Sequence, residues 1–149
     1  MSTSISVEKF KENLLEAALR AKENAYCPIS HFAVGASVLT SDNKIFSGCN
    51  VENVCLPCGW CAEVSAIGTA VSNGHRKLTA CAVATNSPTY VTPCGRCRQV
   101  IAEFSDSQCI IFLVNKDKEV KTVEFGELLP SGFSNEDLKS GCATKEKKT

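Results

Sequence analysis

Three cysteines and one glutamate have the residue types and the spacing to do chemistry. They stand in Cys61-Ala62-Glu63 and, further along the chain, in Pro93-Cys94-Gly95-Arg96-Cys97. Thiolate sulfur suits a borderline-soft d10 cation, so Cys61 together with the Cys94/Cys97 pair is a donor set for zinc. Three protein ligands leave a fourth coordination position open, and in a catalytic zinc site water fills it. Glu63 lies two residues past the first of these ligands, close enough to handle protons on whatever sits in that position. The expectation is a catalytic zinc centre rather than a structural one.

Other uses of the cysteines follow from their spacing. Cys55/Cys58, Cys58/Cys61 and Cys94/Cys97 are all CxxC pairs. A structural four-cysteine site could join Cys58/Cys61 to Cys94/Cys97, but a whole helix and strand separate the pairs, more than the roughly 15–20 residues of a zinc ribbon. A redox CxxC would call for a thioredoxin-like pattern, which surrounds neither pair. Cys49, Cys81 and Cys109 lie in apolar strand patterns and read as small buried hydrophobes.

The elements that must position these residues are legible in the periodicity. Val7, Phe10, Leu14, Ala17, Ala18, Ala21 and Ala25 recur at steps of three and four, predicting a helix from about Ser6 to Asn24, closed at Tyr26-Cys27-Pro28. Phe32, Val34, Ala36 and Val38 alternate with small residues up to Ser41-Asp42-Asn43-Lys44, and Ile45-Phe46 follow, which reads as strand, turn, strand in a sheet covered on both faces. Asn50 to Trp60 is an irregular loop broken by Pro57 and Gly59. Cys61 to about Ser72 is helix-compatible and stops at Asn73-Gly74. Leu78–Ala84 reads as a central strand, Arg98–Phe104 as a short helix, Cys109–Val114 as an apolar strand and Glu119–Thr122 as a final one. Helices alternating with strands imply an α/β domain around one mixed sheet of about five strands. His31 and His75 carry no expected function.

With 149 residues, of which 44% are hydrophobic, the chain has the size of one domain with a real core. A single domain is expected over residues 1–138, with a polar, Lys-rich and mobile tail over 139–149. Sixteen basic residues balance sixteen acidic ones, so the excess positive field needed for a nucleic-acid polymer is missing and a small, weakly charged substrate fits better. Ten cysteines in a chain whose first residues lack the apolar core of a signal peptide point to a reduced, cytoplasmic protein. No apolar run approaches the roughly 18–20 residues of a membrane helix.

The pairing of CAE with PCxxC resembles the signature of the zinc-dependent cytidine/deoxycytidylate deaminase superfamily, and within it the small, homotetrameric, three-cysteine cytidine deaminases of pyrimidine salvage. The likeness extends from Tyr26 to Leu138. Tyr26-Cys27-Pro28-Ile29-Ser30-His31-Phe32-Ala33-Val34-Gly35-Ala36 is similar to the family's N-terminal motif, Asn50-Val51-Glu52-Asn53 to its ribose motif, Pro93–Gln99 to its second metal motif and Glu127–Phe133 to its C-terminal segment.

That resemblance implies a three-layer cytidine-deaminase-like fold, a zinc ion on Cys61, Cys94 and Cys97, and Glu63 as the group that takes a proton from water and returns protons to N3 and the departing amino group. It implies further that Asn50 and Glu52 bond the ribose, that Phe32 stacks on the pyrimidine, and that the backbone of Ala62 and Thr92 bonds the base. Phe133 is implied to complete a neighbouring subunit's site in a homotetramer. Where three-cysteine relatives carry an arginine after the glutamate, this chain has Val64. The negative charge of three thiolates must then be offset otherwise, and Arg96 together with the helix N-termini near Cys61 and Cys94 are the candidates. Leu56 stands where an aromatic is common. A blasticidin S deaminase-like aminohydrolase, which shares the PCGRCRQ and ELLPSG strings, is the alternative within the same chemistry. A non-catalytic zinc- or nucleoside-binding protein is the alternative outside it.

Overall fold

The computed structural model describes the backbone of residues 2–143 and the side chains of residues 7–142. Helix α1 (Ser2–Glu23) leads into strands β1 (Val34–Thr40) and β2 (Ile45–Cys49), then a 3-10 turn (Leu56–Cys58) and α2 (Ala62–Ser72). Strand β3 (Leu78–Thr85), α3 (Gly95–Phe104), β4 (Ile110–Val114), β5 (Val120–Glu124), α4 (Phe125–Leu128) and α5 (Asn135–Ala143) complete the order. The five strands form one sheet, β2-β1-β3-β4-β5, in which β3 and β4 run parallel and every other pair antiparallel.

The strand period of two assigns each side chain to one of two cores. Ala36 and Val38 of β1, Cys81 and Val83 of β3, and Ile111 and Leu113 of β4 face α2 and α3, where Ala66, Ile67, Ala70 and Ile101 meet them. Leu39, Ala80, Ala82, Ala84, Phe112 and Val114 point the other way, onto Leu14, Leu15 and Ala18 of α1. Burying an aliphatic or aromatic side chain such as Leu14, Ile101 or Phe112 contributes about 1.5–3 kcal/mol each. The result is the three-layer sandwich expected. Its helices sit unusually close: a Cβ on Gly35 would collide with the backbone of α1 at Ala18 and Lys22, and one on Gly48 would lie 2.6 Å from the Ala66 nitrogen in α2.

Several boundaries differ from the pattern in the sequence. Helix α1 ends at Glu23 as expected within one residue but begins at Ser2, earlier than Ser6. Helix α3 begins at Gly95, not Arg98, because extended Cys94 serves as its N-cap and accepts the first helical bond from the Arg98 amide at 2.9 Å. Strand β5 runs to Glu124, which also forms a capping box with Glu127 at the start of α4. Helix α5 takes in Lys139–Ala143, part of the expected tail, while residues 144–149 lie outside the described residues. Its cap is Ser134, whose amide and hydroxyl donate to Asp137 at 2.8 and 2.6 Å while the Asp137 amide donates back at 3.2 Å. Among the described residues no helix is long and apolar enough to cross a membrane.

Candidate active site

Helices α2 and α3 point their N-termini at the same place, and the cysteines occupy those termini. Cys61 is the N-cap of α2, Cys94 the N-cap of α3, and Cys97 falls in the first turn of α3. Neither cap residue spends its side chain on the helix, so both sulfurs are free to face one another. The Cys94 sulfur lies 3.7 Å from that of Cys61 and 3.5 Å from that of Cys97, and all three fall within 4.8 Å of one another. A tetrahedral site with Zn–S bonds of about 2.3 Å has an edge of about 3.8 Å, so the two edges at Cys94 already have the length that zinc requires. Cys58 and Cys55 are exposed and stand outside the cluster, which removes the four-cysteine alternative. All ten cysteines are free thiols. Cys81 and Cys109 are buried as expected, the Cys109 thiol pushed up to about 12 by burial, whereas Cys49 is only half-buried and donates to the Asn24 carbonyl.

The electrostatics divide the triad between a thiol that ionises readily and one that does not. Hydrogen bonding from Cys97 brings the Cys61 thiol down to about 6; Cys94 and the charge of Arg96 act the same way, and desolvation and Glu63 oppose them. Cys97, donating to Cys61, is raised and keeps its proton. Helix N-termini carry partial positive charge, and two of them converge on the triad. Arg96 is exposed, and among the described residues no hydrogen bond joins its guanidinium to a sulfur, so it acts on Cys61 through its charge alone. Glu63, in the first turn of α2, is only 4% exposed. Burial pushes its carboxyl up, and hydrogen bonds from its own backbone amide and from Cys97 offset part of the rise. A carboxyl that holds its proton more readily than usual, next to a metal triad, is suited to taking and returning protons near neutral pH.

Cys61, Cys94 and Glu63 open into a cavity of about 490 Å³, lined also by Phe32, Asn50, Glu52, Ala62 and Thr92 among others, with Cys97 buried behind them. It lies at the carboxyl end of β3, where Val83 and Thr85 form its floor. The irregular loop that supplies Asn50 and Glu52 is ordered by two bridges: Val51 pairs with Trp60, with N···O distances of 3.0 Å each way, and Tyr26 pairs with Val51. The Asn50 carboxamide bonds backbone on both sides, donating to the Phe32 carbonyl and accepting from the Val34 amide, each at 2.9 Å. Glu52 accepts from the amides of Ile29 at 2.8 Å and Ser30 at 3.1 Å, and the Ser30 side chain first, then these two amides, hold its carboxyl below the usual range. Phe32, 39% exposed, lies two residues before β1 and lines the same cavity.

Six of the seven residues expected at the substrate and proton-transfer positions therefore meet in one cavity. Phe133 does not: it is 60% exposed and lies against a second cavity beside α3 and α5. Trp60 and Leu56 also line the first cavity, and Trp60 is the only tryptophan of the chain. An aromatic immediately before the first ligand was the signal that would have found it. Neither histidine lines the cavity; His75 bonds Asp42 at 3.0 Å and packs on Phe46, and His31 occupies a turn at φ 56°.

Residues 8–113 match the family model described as "Cytidine and deoxycytidylate deaminase zinc-binding region". A cytidine deaminase of Sporosarcina psychrophila is 42% identical over 127 residues, which cover 85% of this chain and 93% of that protein. Among solved structures, cytidine deaminase from Burkholderia pseudomallei is 40% identical with a TM-score of 0.78, covering 82% of this chain and 98% of that one. Cytidine deaminase from Mycobacterium tuberculosis is 38% identical with a TM-score of 0.72, covering 83% and 96%. Coverage of this extent, at these identities and with the thiol triad already assembled by the fold, means that the chain belongs to the cytidine and deoxycytidylate deaminase family.

Proposed function

We propose that the protein hydrolyses cytidine and deoxycytidine to uridine and deoxyuridine in pyrimidine salvage, releasing ammonia. The observation that carries this is the buried Glu63 carboxyl set against three cysteine sulfurs at the bottom of a nucleoside-sized cavity. Cys61, Cys94 and Cys97 would hold a zinc ion, which when bound would supply a Lewis acid that lowers the pKa of water. Glu63 accepts the proton of the water that adds to C4 of the cytosine ring. It then donates that proton to N3, takes the proton of the new C4 hydroxyl and passes it to the amino group, and the C4–N bond breaks to release ammonia as the C4 carbonyl forms. Its raised affinity for protons supports both halves of that exchange. Phe32 supplies a face for the pyrimidine, the backbone of Ala62 and Thr92 serves the base, and Asn50 and Glu52 face the ribose. Because both already bond the backbone around Phe32, they present their remaining donor and acceptor sites from fixed positions. Arg96 offsets part of the thiolate charge, the work for which Val64 has no cation.

A cytoplasmic homotetramer is part of this reading. Phe133 is exposed and remote from its own cavity, which suits a residue that completes a neighbour's. Free cysteines throughout suit a reducing compartment. The test is to incubate the zinc-loaded protein with cytidine, deoxycytidine and blasticidin S and follow the ultraviolet change of deamination. Turnover of the first two is expected. Turnover of blasticidin S alone would move the substrate to the runner-up chemistry, and turnover of none with zinc bound would leave a binding protein.

A further inference from the structure

One guanidinium beside the metal triad does more than its place in the chain suggests. Arg98 sits in the first turn of α3, where the helix dipole disfavours a cation. It is half-buried there, and three different nitrogens each donate at 2.7 Å: Nε to the Pro93 carbonyl, Nη2 to the Thr92 hydroxyl and Nη1 to the Leu128 carbonyl. The neighbouring Gln99 donates to the Phe133 carbonyl at 2.9 Å.

The segment so gripped has little else to hold it. Among the described residues, 89–93 make no backbone-to-backbone hydrogen bond, although Val91 and Thr92 line the cavity and the ligand Cys94 follows directly. Pro93 is fully buried and, as a proline, has no amide to donate. We propose that Arg98 is a positioning residue. Its fork fixes the Thr92-Pro93-Cys94 turn against the C-terminal segment at Leu128, and so sets the Cys94 sulfur and the Thr92 backbone in their working geometry. A planar fork does this and an ammonium does not, because the three acceptors diverge and a lysine reaches one of them at a time. The link also ties the placement of Phe133, through Gln99 on the same turn, to the metal site.

The test uses the cobalt(II)-loaded full chain, whose thiolate-to-metal absorption bands report sulfur geometry without any substrate, so its result is separate from the identity of the substrate. Arg98→Lys and Arg98→Ala are expected to shift those bands and to speed loss of zinc to a chelator about 10–100-fold, the usual effect of removing a group that orients a ligand. They should lower kcat more than they raise KM for cytidine, and low millimolar guanidinium should restore part of the Arg98→Ala loss. Arg98→Lys keeps the charge and most of the volume, so it serves if the alanine variant does not fold. A folded lysine variant with an unchanged cobalt spectrum and an unchanged rate of zinc loss would overturn the proposal, whatever its melting temperature.

Discussion

Glu63→Gln in the metal-free protein separates the demands of folding from those of catalysis. The side chain is 4% exposed, and desolvation raises its proton affinity above that of an ordinary carboxyl at 4.5. An acid whose folded-state value is raised binds more protons folded than unfolded, so stability is fully present below the unfolded value and declines as pH rises through the folded one. Wild-type metal-free protein should therefore lose stability on going from about pH 4.5 toward neutrality. The isosteric amide has no such titration. At neutral pH it removes the cost of keeping a carboxylate charge out of water, about 1–3 kcal/mol after the hydrogen bonds that the carboxylate accepts from its own amide and from Cys97. At about 2–4 °C per kcal/mol for a chain of this size, the variant should melt about 2–12 °C higher than wild type. Differential scanning calorimetry of both proteins, metal-stripped, from pH 4 to pH 8 reads the effect directly. The gap should be small at the acid end and widen with pH until the Glu63 carboxyl has ionised. A gap that is constant with pH, or a glutamine variant that melts lower at neutral pH, would refute the electrostatic reasoning.

Other outcomes follow from the same geometry. Zinc binding at pH 7.5 should release protons, with Cys97 a donor because its thiol is raised and Cys61 contributing little because it lies near 6; calorimetry in buffers of different ionisation enthalpy counts them, and no net release would contradict the assignment. Asn50→Ala removes both bonds between the carboxamide and the backbone at Phe32 and Val34, and should cost about 1–2 kcal/mol in denaturant unfolding while raising KM for cytidine. Arg96→Gln should shift the acid limb of the kcat/KM profile without changing zinc content; an unchanged profile would remove Arg96 from charge balance. Phe133→Ala should weaken substrate affinity only in the assembled protein, which sedimentation at several concentrations together with KM would show.

The metal site was legible because its chemistry is local in sequence: cysteines at spacing three, and a glutamate two residues past a ligand, need only two helix starts to meet. The sheet was legible because Val34–Thr40 and Leu78–Thr85 alternate small and apolar residues between two covered faces. Arg98 was opaque, since one of its acceptors is a backbone carbonyl thirty residues away and nothing in a side-chain pattern marks a carbonyl. Asn50 and Glu52 were read as ligand-facing, yet each also bonds main chain that the sequence places well before them. The cap of α5 was available in Ser134 and Asp137, but the lysines beyond it read as a tail and outweighed it. Phe133 matches a motif read as substrate-facing, yet it lines the second cavity and not the one that holds Glu63.

The account rests on Glu63 moving protons beside the thiol triad, and the most direct measurement is the steady-state rate of cytidine deamination by wild type and Glu63→Gln at equal, measured zinc content. It predicts one zinc per chain in both proteins and a fall in kcat of about 10²–10⁴-fold in the variant, the range for losing a positioned acid–base. A variant that keeps its zinc and deaminates cytidine at close to the wild-type rate would contradict it.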